Sequence, residues 1–259
     1  MIRRTTDAAP LAGWTVVSLR PRGQHAALRS AAARAGATLL ALSPFAIKTR
    51  TDAASLPALD AALAADVVLF TSPNAVRAAA ALRRLRNTRG RLALAVGDGT
   101  RRALRRLGID AISPTRMDSE GLLALPALRD IGGRSIGLVT APGGRNRLAP
   151  ALQSRGAEVR RADVYDRTPV AIADARWHAL ASALATPQRV VLALSSAEAL
   201  EAVLRQRPVN FEESLRRVAV TAASERLAQA AREAGFMRIT IAADARPASL
   251  LRAAANAFV

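Results

Sequence analysis

Cysteine is absent from this 259-residue chain. Disulfide scaffolds, thiolate metal sites and cysteine nucleophiles are therefore excluded. Histidine is almost absent: His25 and His178 are the only two, which leaves no room for a histidine-rich metal centre and all but excludes a Ser-His-Asp triad. Aromatic residues make up 3% of the chain, and Tyr165 is the only tyrosine. That is a poor supply of stacking surfaces for nucleic-acid bases. No apolar run approaches the ~18 residues of a membrane span. The stretch up to Trp14 lacks the apolar core of a signal peptide, so the expected compartment is the cytoplasm. Neither Gly-x-Gly-x-x-Gly nor a P-loop follows any candidate strand, and nicotinamide, flavin and ATP chemistry are not expected.

What the chain does have is arginine. Lys48 is the only lysine among 38 basic residues, set against 20 acidic ones, for a formal net charge of +18. Two readings stand side by side: the codon bias of a high-GC genome, or a polyanionic partner held by guanidinium forks. The composition, 51% apolar and 22% charged, is that of a globular protein with one large domain or two of about 100–150 residues.

Short apolar strands alternate with helical segments. Strands are expected at Trp14–Leu19, Thr38–Leu42, Asp66–Phe70, Leu92–Val96, Ala111–Ser113, Ser135–Val139, Glu158–Tyr165, Arg189–Leu194, Val218–Thr221 and Arg238–Ala242. Helices are expected at Gln24–Ala35, Leu59–Ala64, Asn74–Leu85, Thr100–Leu107, Glu120–Leu128, Asn146–Arg155, Ala197–Arg205, Ser224–Ala234 and Ala248–Ala257. This alternation implies βαβ units and mainly parallel sheet. The roughly twelve residues before the first strand are expected to be disordered. His25 is expected on a solvent face of the first helix, and His178 on the surface or in a satisfied core position.

An internal echo runs through the pattern. Phe70-Thr71-Ser72-Pro73-Asn74-Ala75-Val76 resembles Leu194-Ser195-Ser196-Ala197-Glu198-Ala199-Leu200. Ser72 to Thr100 and Ser196 to Ser224 both span 28 residues. Val16–Ala37 matches Leu138–Ala157 in the same way. The chain thus reads as two similar α/β halves, near 14–112 and 135–242, facing each other across a cleft.

Ligands of parallel α/β sheets bind beyond the carboxyl ends of the strands. The residues there are Thr71, Ser72 and Asn74; Gly97 and Thr100; Gly143, Gly144 and Arg145; Ser195 and Ser196; and Thr221 and Ser224. Hydroxyls, free N–H groups and helix N-termini make an anion-binding surface. Each Ser or Thr taken singly also serves as an ordinary helix cap, with Ser72 before Pro73 and Thr100 after Gly99 as the plainest cases. Tyr165 ends a strand, where a core or edge role is equally open.

In this order and spacing the motifs resemble the uroporphyrinogen-III synthase family. The resembling stretches are Leu19-Arg20-Pro21, Phe70 to Val76, Ala95 to Thr100, Gly143-Gly144-Arg145 with Gly156-Ala157, Val164-Tyr165-x-Arg167, and Ser224 to Ala228 with Gly235-Phe236. One departure is the turn Thr221-Ala222-Ala223-Ser224, which lacks the Gly-Pro of many members and has Ser224 where they have Thr. The resemblance implies two parallel-sheet α/β domains, 1–42 plus 169–259 and an inserted 43–168, joined by a two-stranded connection near Leu42–Lys48 and Ala162–Thr168, with the active site in the cleft between them. It implies closure of the linear octacarboxylate tetrapyrrole hydroxymethylbilane to uroporphyrinogen III, with inversion of the last ring and loss of water. No metal or other cofactor, nucleic acid or membrane is implied, and the expected state is a monomer. Tyr165 would be the catalytic phenol, and the strand-end residues would bind the carboxylates. A substrate that expels its own hydroxyl needs positioning more than a strong nucleophile, which suits a chain without cysteine or paired acids. The alternatives are a nucleic-acid-binding α/β protein, which would explain the charge but not its spread over many helices, and a non-catalytic polyanion-binding module.

Overall fold

The structure, a computed structural model, describes residues 9–86, 90–116, 119–143 and 147–259. The strands are β1 (Thr15–Ser18), β2 (Thr38–Ala41), β3 (Phe45–Thr49), β4 (Val67–Phe70), β5 (Leu92–Ala95), β6 (Ser135–Thr140), β7 (Glu158–Asp163), β8 (Tyr165–Pro169), β9 (Val190–Leu194), β10 (Ala219–Ala222) and β11 (Arg238–Ile241). The helices are α1 (Ala26–Arg34), α2 (Ser55–Leu63), α3 (Pro73–Leu82), α4 (Asp98–Arg105), α5 (Ser119–Leu123), α6 (Leu148–Gln153), α7 (Asp174–Leu184), α8 (Ala197–Gln206), α9 (Glu212–Arg216), α10 (Glu225–Glu233) and α11 (Pro247–Phe258).

Two compact units result: Met1–Ala46 with Thr168–Val259, and Ile47–Arg167. The division falls inside β3 and β8, against expected junctions at 42/43 and 168/169. The first unit is a five-stranded sheet in the order β11-β10-β9-β1-β2, and the second a four-stranded sheet in the order β5-β4-β6-β7. All pairings within these two sheets are parallel. β3 and β8 pair with each other. The bonds Val170 N–H to Pro44 C=O and Arg50 N–H to Val164 C=O flank this pair.

Hydrophobicity decides which strands lie inside. β4, Val-Val-Leu-Phe, and β9, Val-Val-Leu-Ala-Leu, are buried at every position; both have a strand on each side, as a strand covered on both faces requires. The edge strands β2, β7 and β11 carry Thr38, Arg160 and Arg238 and are only partly buried. Alternation then fills two cores per unit. In the first unit Val17, Leu192 and Val220 pack with α7, α8 and α10, while Val16, Val191 and Ala219 point the other way, to α1 and α11. In the second, Val68, Phe70 and Val139 pack with α2, α3 and α4, and Val67, Leu69 and Ile136 with α5 and α6.

The sequence echo is a structural one. The order β10-β9-β1-β2 matches β5-β4-β6-β7 strand for strand, with the chain order permuted: β1 and β2, the counterparts of β6 and β7, come before β9 and β10, the counterparts of β4 and β5. Ile112 makes one parallel bridge to Leu94, at the place where β11 flanks β10. The expected strand at Ala111–Ser113 shrinks to that bridge. The helix caps repeat too. Ala75 N–H donates to Ser72 Oγ at 3.0 Å, and Ala199 N–H to Ser196 Oγ at 3.2 Å.

Other expectations are corrected. The single strand at Glu158–Tyr165 is two, broken at Val164, whose N–H bonds Thr140 and whose C=O accepts from Arg50. The helix expected at Glu120–Leu128 stops at Leu123, and Pro126 begins a separate 3-10 turn. No element is expected from the sequence over residues 169–188, yet α7 forms there with Trp177, Leu180 and Leu184 buried along one face. Residues 9–13 are not a loose tail: Leu11 is fully buried and its N–H bonds Ala35 C=O at 2.8 Å. Residues 1–8 of that expectation lie outside the described residues. His25 is not on a solvent face but is buried, because its imidazole reaches back to the end of β1; His178 is exposed.

α2 seats on β6 through Gly137, where a Cβ would lie 1.9 Å from the Ala62 carbonyl oxygen. Backbone meets backbone here, so Gly137→Ala is expected to destabilise by about 3 kcal/mol, while Gly132→Ala, whose nearest atom is 3.9 Å away, stays within about 0.5 kcal/mol. Urea melts of both check this, and equal midpoints would refute the close seating. In the same assay Ser196→Ala loses about 1 kcal/mol through its cap, and an unchanged midpoint would show the cap to be inert.

Candidate functional site

Within the second unit the carboxyl ends of β4 and β6 open on a cavity of about 300 Å³. Its polar lining comes from Thr71 and Ser72 after β4, Ser119 at the start of α5, Thr140 at the end of β6, Tyr165 at the start of β8, and the guanidiniums of Arg147, Arg161 and Arg167. Among the described residues its lining contains no histidine and no carboxylate.

The geometry follows from two backbone requirements. α3 begins directly after the buried strand β4, so its first N–H groups need an acceptor. Ser72, in an extended conformation with Pro73 behind it, supplies one through Oγ. The break at Val164 ends β7 and starts β8 with Tyr165, which is only 2% exposed. The phenol oxygen then sits 3.1 Å from Ser72 Oγ. Ser72 Oγ already accepts from Ala75 N–H, so the two hydroxyls have two proton arrangements. Either the phenol donates to Ser72 and the serine O–H is left over, or the serine donates and the phenol O–H is left over. In both, one O–H remains for a ligand. Beside them Thr71 Oγ1 donates to Thr140 Oγ1 at 2.9 Å.

The guanidiniums are partly offset. Arg147 pairs with Glu120 at 3.0 Å and Arg161 with Asp163 at 3.0 Å. Arg161 also donates to the Ala141 carbonyl. The cavity thus offers hydroxyls and braced cations, a combination that holds carboxylates and can hand a proton to an oxygen.

The structure brings Thr71, Ser72, Gly143 and Tyr165 of the expected residues to this one cavity. Asn74 does not line it; its side-chain oxygen accepts from Arg77. Gly97 caps α4, and Thr100 is not a cap but lies inside that helix, buried, with its N–H on Gly97 C=O; the helix starts earlier because Asp98 occupies its first turn and pairs with Arg101 and Arg102. Gly144 and Arg145 lie outside the described residues. Ser195, Ser196 and Ser224 belong to the first unit. Ser195 is exposed there, Ser196 caps α8, and Ser224 stands at the start of α10 without a side-chain cap bond. Thr221 is not at a strand end but within β10, buried. Sequence reasoning missed Arg147 and Arg161. For Arg161 the readable signal was its place in Glu158-Val159-Arg160-Arg161, a partly buried strand where a charge needs a reason.

The comparisons agree with one another. The family model described as uroporphyrinogen-III synthase HemD matches residues 26–252. The uroporphyrinogen-III synthase of Salmonella typhimurium is 36% identical over 166 residues, 61% of this chain and 65% of that protein, so the match spans just under two thirds of the relative's length. Two solved structures share the fold. Uroporphyrinogen-III synthetase from Helicobacter pylori has a TM-score of 0.62 at 15% identity, covering 94% of this chain and 99% of that one. A mutant uroporphyrinogen III synthase from Thermus thermophilus has a TM-score of 0.59 at 23% identity, covering 94% and 98%. With the family model spanning nearly all of the described chain, and both α/β units present, this protein belongs to the uroporphyrinogen-III synthase family.

Proposed function

We propose that the chain closes hydroxymethylbilane to uroporphyrinogen III, inverting ring D and releasing one water. Family membership supports the reaction, and the Tyr165–Ser72 pair in a hydroxyl- and guanidinium-lined cavity is the observation that carries it.

The linear substrate carries its own driving force, since the pyrrole nitrogen pushes out the terminal hydroxyl. What it needs is a proton on the departing oxygen and a fixed fold of the chain. The spare O–H of the Tyr165–Ser72 pair supplies the proton as the C–O bond breaks and water leaves. The freed ring A methylene bonds the substituted α-carbon of ring D, the bond from that carbon to the neighbouring methylene then breaks, and this methylene bonds the free α-carbon of ring D, which sheds its hydrogen; ring D is thereby turned over and the hydroxyl restored. Protons balance over the cycle. Arg147, Arg161 and Arg167 hold substrate carboxylates, and Thr71 with Thr140 sets the floor of the pocket. No step needs a histidine or a carboxylate base. The reading extends to a monomeric, cytoplasmic enzyme working without metal or other cofactor. Among the described residues no cluster of metal-ligating side chains is found, and no helix is long and apolar enough to cross a membrane.

The test is chromatography of the oxidised porphyrins after incubation with hydroxymethylbilane. Spontaneous closure gives isomer I; the protein is expected to give isomer III, and isomer I at the protein-free rate would overturn the proposal. Tyr165→Phe is expected to lower kcat by about 10–100-fold with an unchanged melting temperature. A variant that melts normally and turns over at the parental rate would remove Tyr165 from the chemistry.

A further inference from the structure

The first unit holds a cleft of its own, larger than the one described. It lies beyond the carboxyl ends of β1 and β2, has a volume of about 660 Å³, and is lined by Arg22, Arg29, Arg176, His25 and Ser43, with Ile172 among the apolar contacts. The starts of two helices, at Ala26 of α1 and just before α7 at Ala173, also line it.

At its base is a line of three side chains. His25 Nδ1 is 2.9 Å from Ser18 Oγ, and Nε2 is 2.8 Å from Ser43 Oγ. Ser18 is fully buried and His25 is 7% exposed. His25 occupies the N-cap position of α1 but makes no side-chain cap bond, since both ring nitrogens are engaged by the serines. Burial first, then Arg29, Arg20 and Arg176, hold its pKa below the usual histidine value, so the ring is neutral at pH 7. A neutral ring donates from one nitrogen only. With the proton on Nε2 it donates to Ser43, and the Ser43 O–H turns to the cleft. With the proton on Nδ1, Ser43 spends its hydrogen on the ring.

Elsewhere in this unit arginines find carboxylates: Arg205 with Glu201, Arg217 with Glu213, Arg232 with Glu225 and Arg246 with Asp244. Among the described residues no carboxylate pairs with Arg20, Arg22, Arg29 or Arg176, and none lines the cleft. Asp174, in the first turn of α7, is the acid closest in sequence to Arg176, and it too is outside the lining. Several like charges around a concave, polar-based cleft at two helix N-termini make a potential that favours an anion.

We propose that this cleft is an oxoanion site in which Arg22, Arg29 and Arg176 grip a carboxylate or phosphate group and Ser43, oriented by His25, donates the inner hydrogen bond. It stands on the geometry of the first unit alone and does not rest on the reaction assigned above. The group has two possible sources, a carboxylate of the tetrapyrrole or a small free anion.

Because the chain has only two histidines, imidazole NMR reads the site directly. The full-length protein, ¹⁵N-labelled at histidine and assigned with His178→Gln, is titrated with inorganic phosphate, glutarate and uroporphyrin III, against sodium chloride at matched ionic strength. The expected result is a saturable shift of His25 toward the Nε2–H tautomer, a rise of its titration midpoint by about one pH unit as the anion offsets the arginines, and no movement of His178. Response to phosphate or glutarate assigns a small-anion site; response to the porphyrin alone assigns a substrate carboxylate. Arg29→Gln with Arg176→Gln, both exposed positions, is expected to weaken binding at least tenfold with normal melting, and Arg22→Gln serves if that pair does not fold. Cyclase activity is measured separately, so that a failure of the assigned reaction and a failure of this site are told apart. No His25 shift with any probe, a shift matched by chloride, or one retained in the glutamine variants overturns the proposal.

Discussion

A helix that starts where a buried parallel strand ends must find an acceptor for its first N–H groups, and the candidate site is built on that need. Ser72 meets it after β4 by accepting from Ala75 N–H at 3.0 Å. That bond fixes the hydroxyl, and the fixed hydroxyl gives Tyr165 a partner at 3.1 Å. A phenol buried to 2% exposure would otherwise be left with an unsatisfied O–H, at a cost of roughly 1–3 kcal/mol. Cap, phenol and cavity are one construction.

The same constraint operates in the first unit, where Ser196 caps α8 and the corresponding order of strands recurs. What differs is the use of the strand ends. Beyond β4 and β6, hydroxyls meet arginines braced by Glu120 and Asp163. Beyond β1 and β2, a serine–histidine–serine line meets arginines that pair with no carboxylate among the described residues. With 38 basic residues against 20 acidic ones, many guanidiniums must lack a carboxylate of their own. Their gathering at a cleft, rather than their number, is what the proposed anion site rests on.

The strand–helix alternation, the internal echo and the strand-end hydroxyls were legible because they depend on local rules: apolar runs, helix caps and glycine stops. Central strands such as Val190–Leu194 read clearly since both faces are buried. α7 was not read, although Trp177, Leu180 and Leu184 carry helical spacing, because exposed polar residues and an alanine-rich stretch blur the stripe. The break at Val164 was invisible because it depends on bonds to Thr140 and Arg50, far away in sequence. Tyr165 could be singled out as the lone tyrosine beside a family-like motif, and Ser72 as a strand-end hydroxyl, but their pairing could not, since 93 residues separate them. His25 was misplaced for the same reason: nothing local announces that Ser18 and Ser43 converge on it.

The central claim is that Ser72 and Tyr165 act as one hydroxyl pair, and a double-mutant cycle tests it most directly. Steady-state rates on hydroxymethylbilane are compared for the parent, Ser72→Ala, Tyr165→Phe and the double variant, each with a melting control. If the pair works as a unit, the loss in the double variant departs clearly from the product of the two single losses, because each hydroxyl sets where the other's proton points. Losses that simply multiply would mean the two hydroxyls act independently, and would contradict the account.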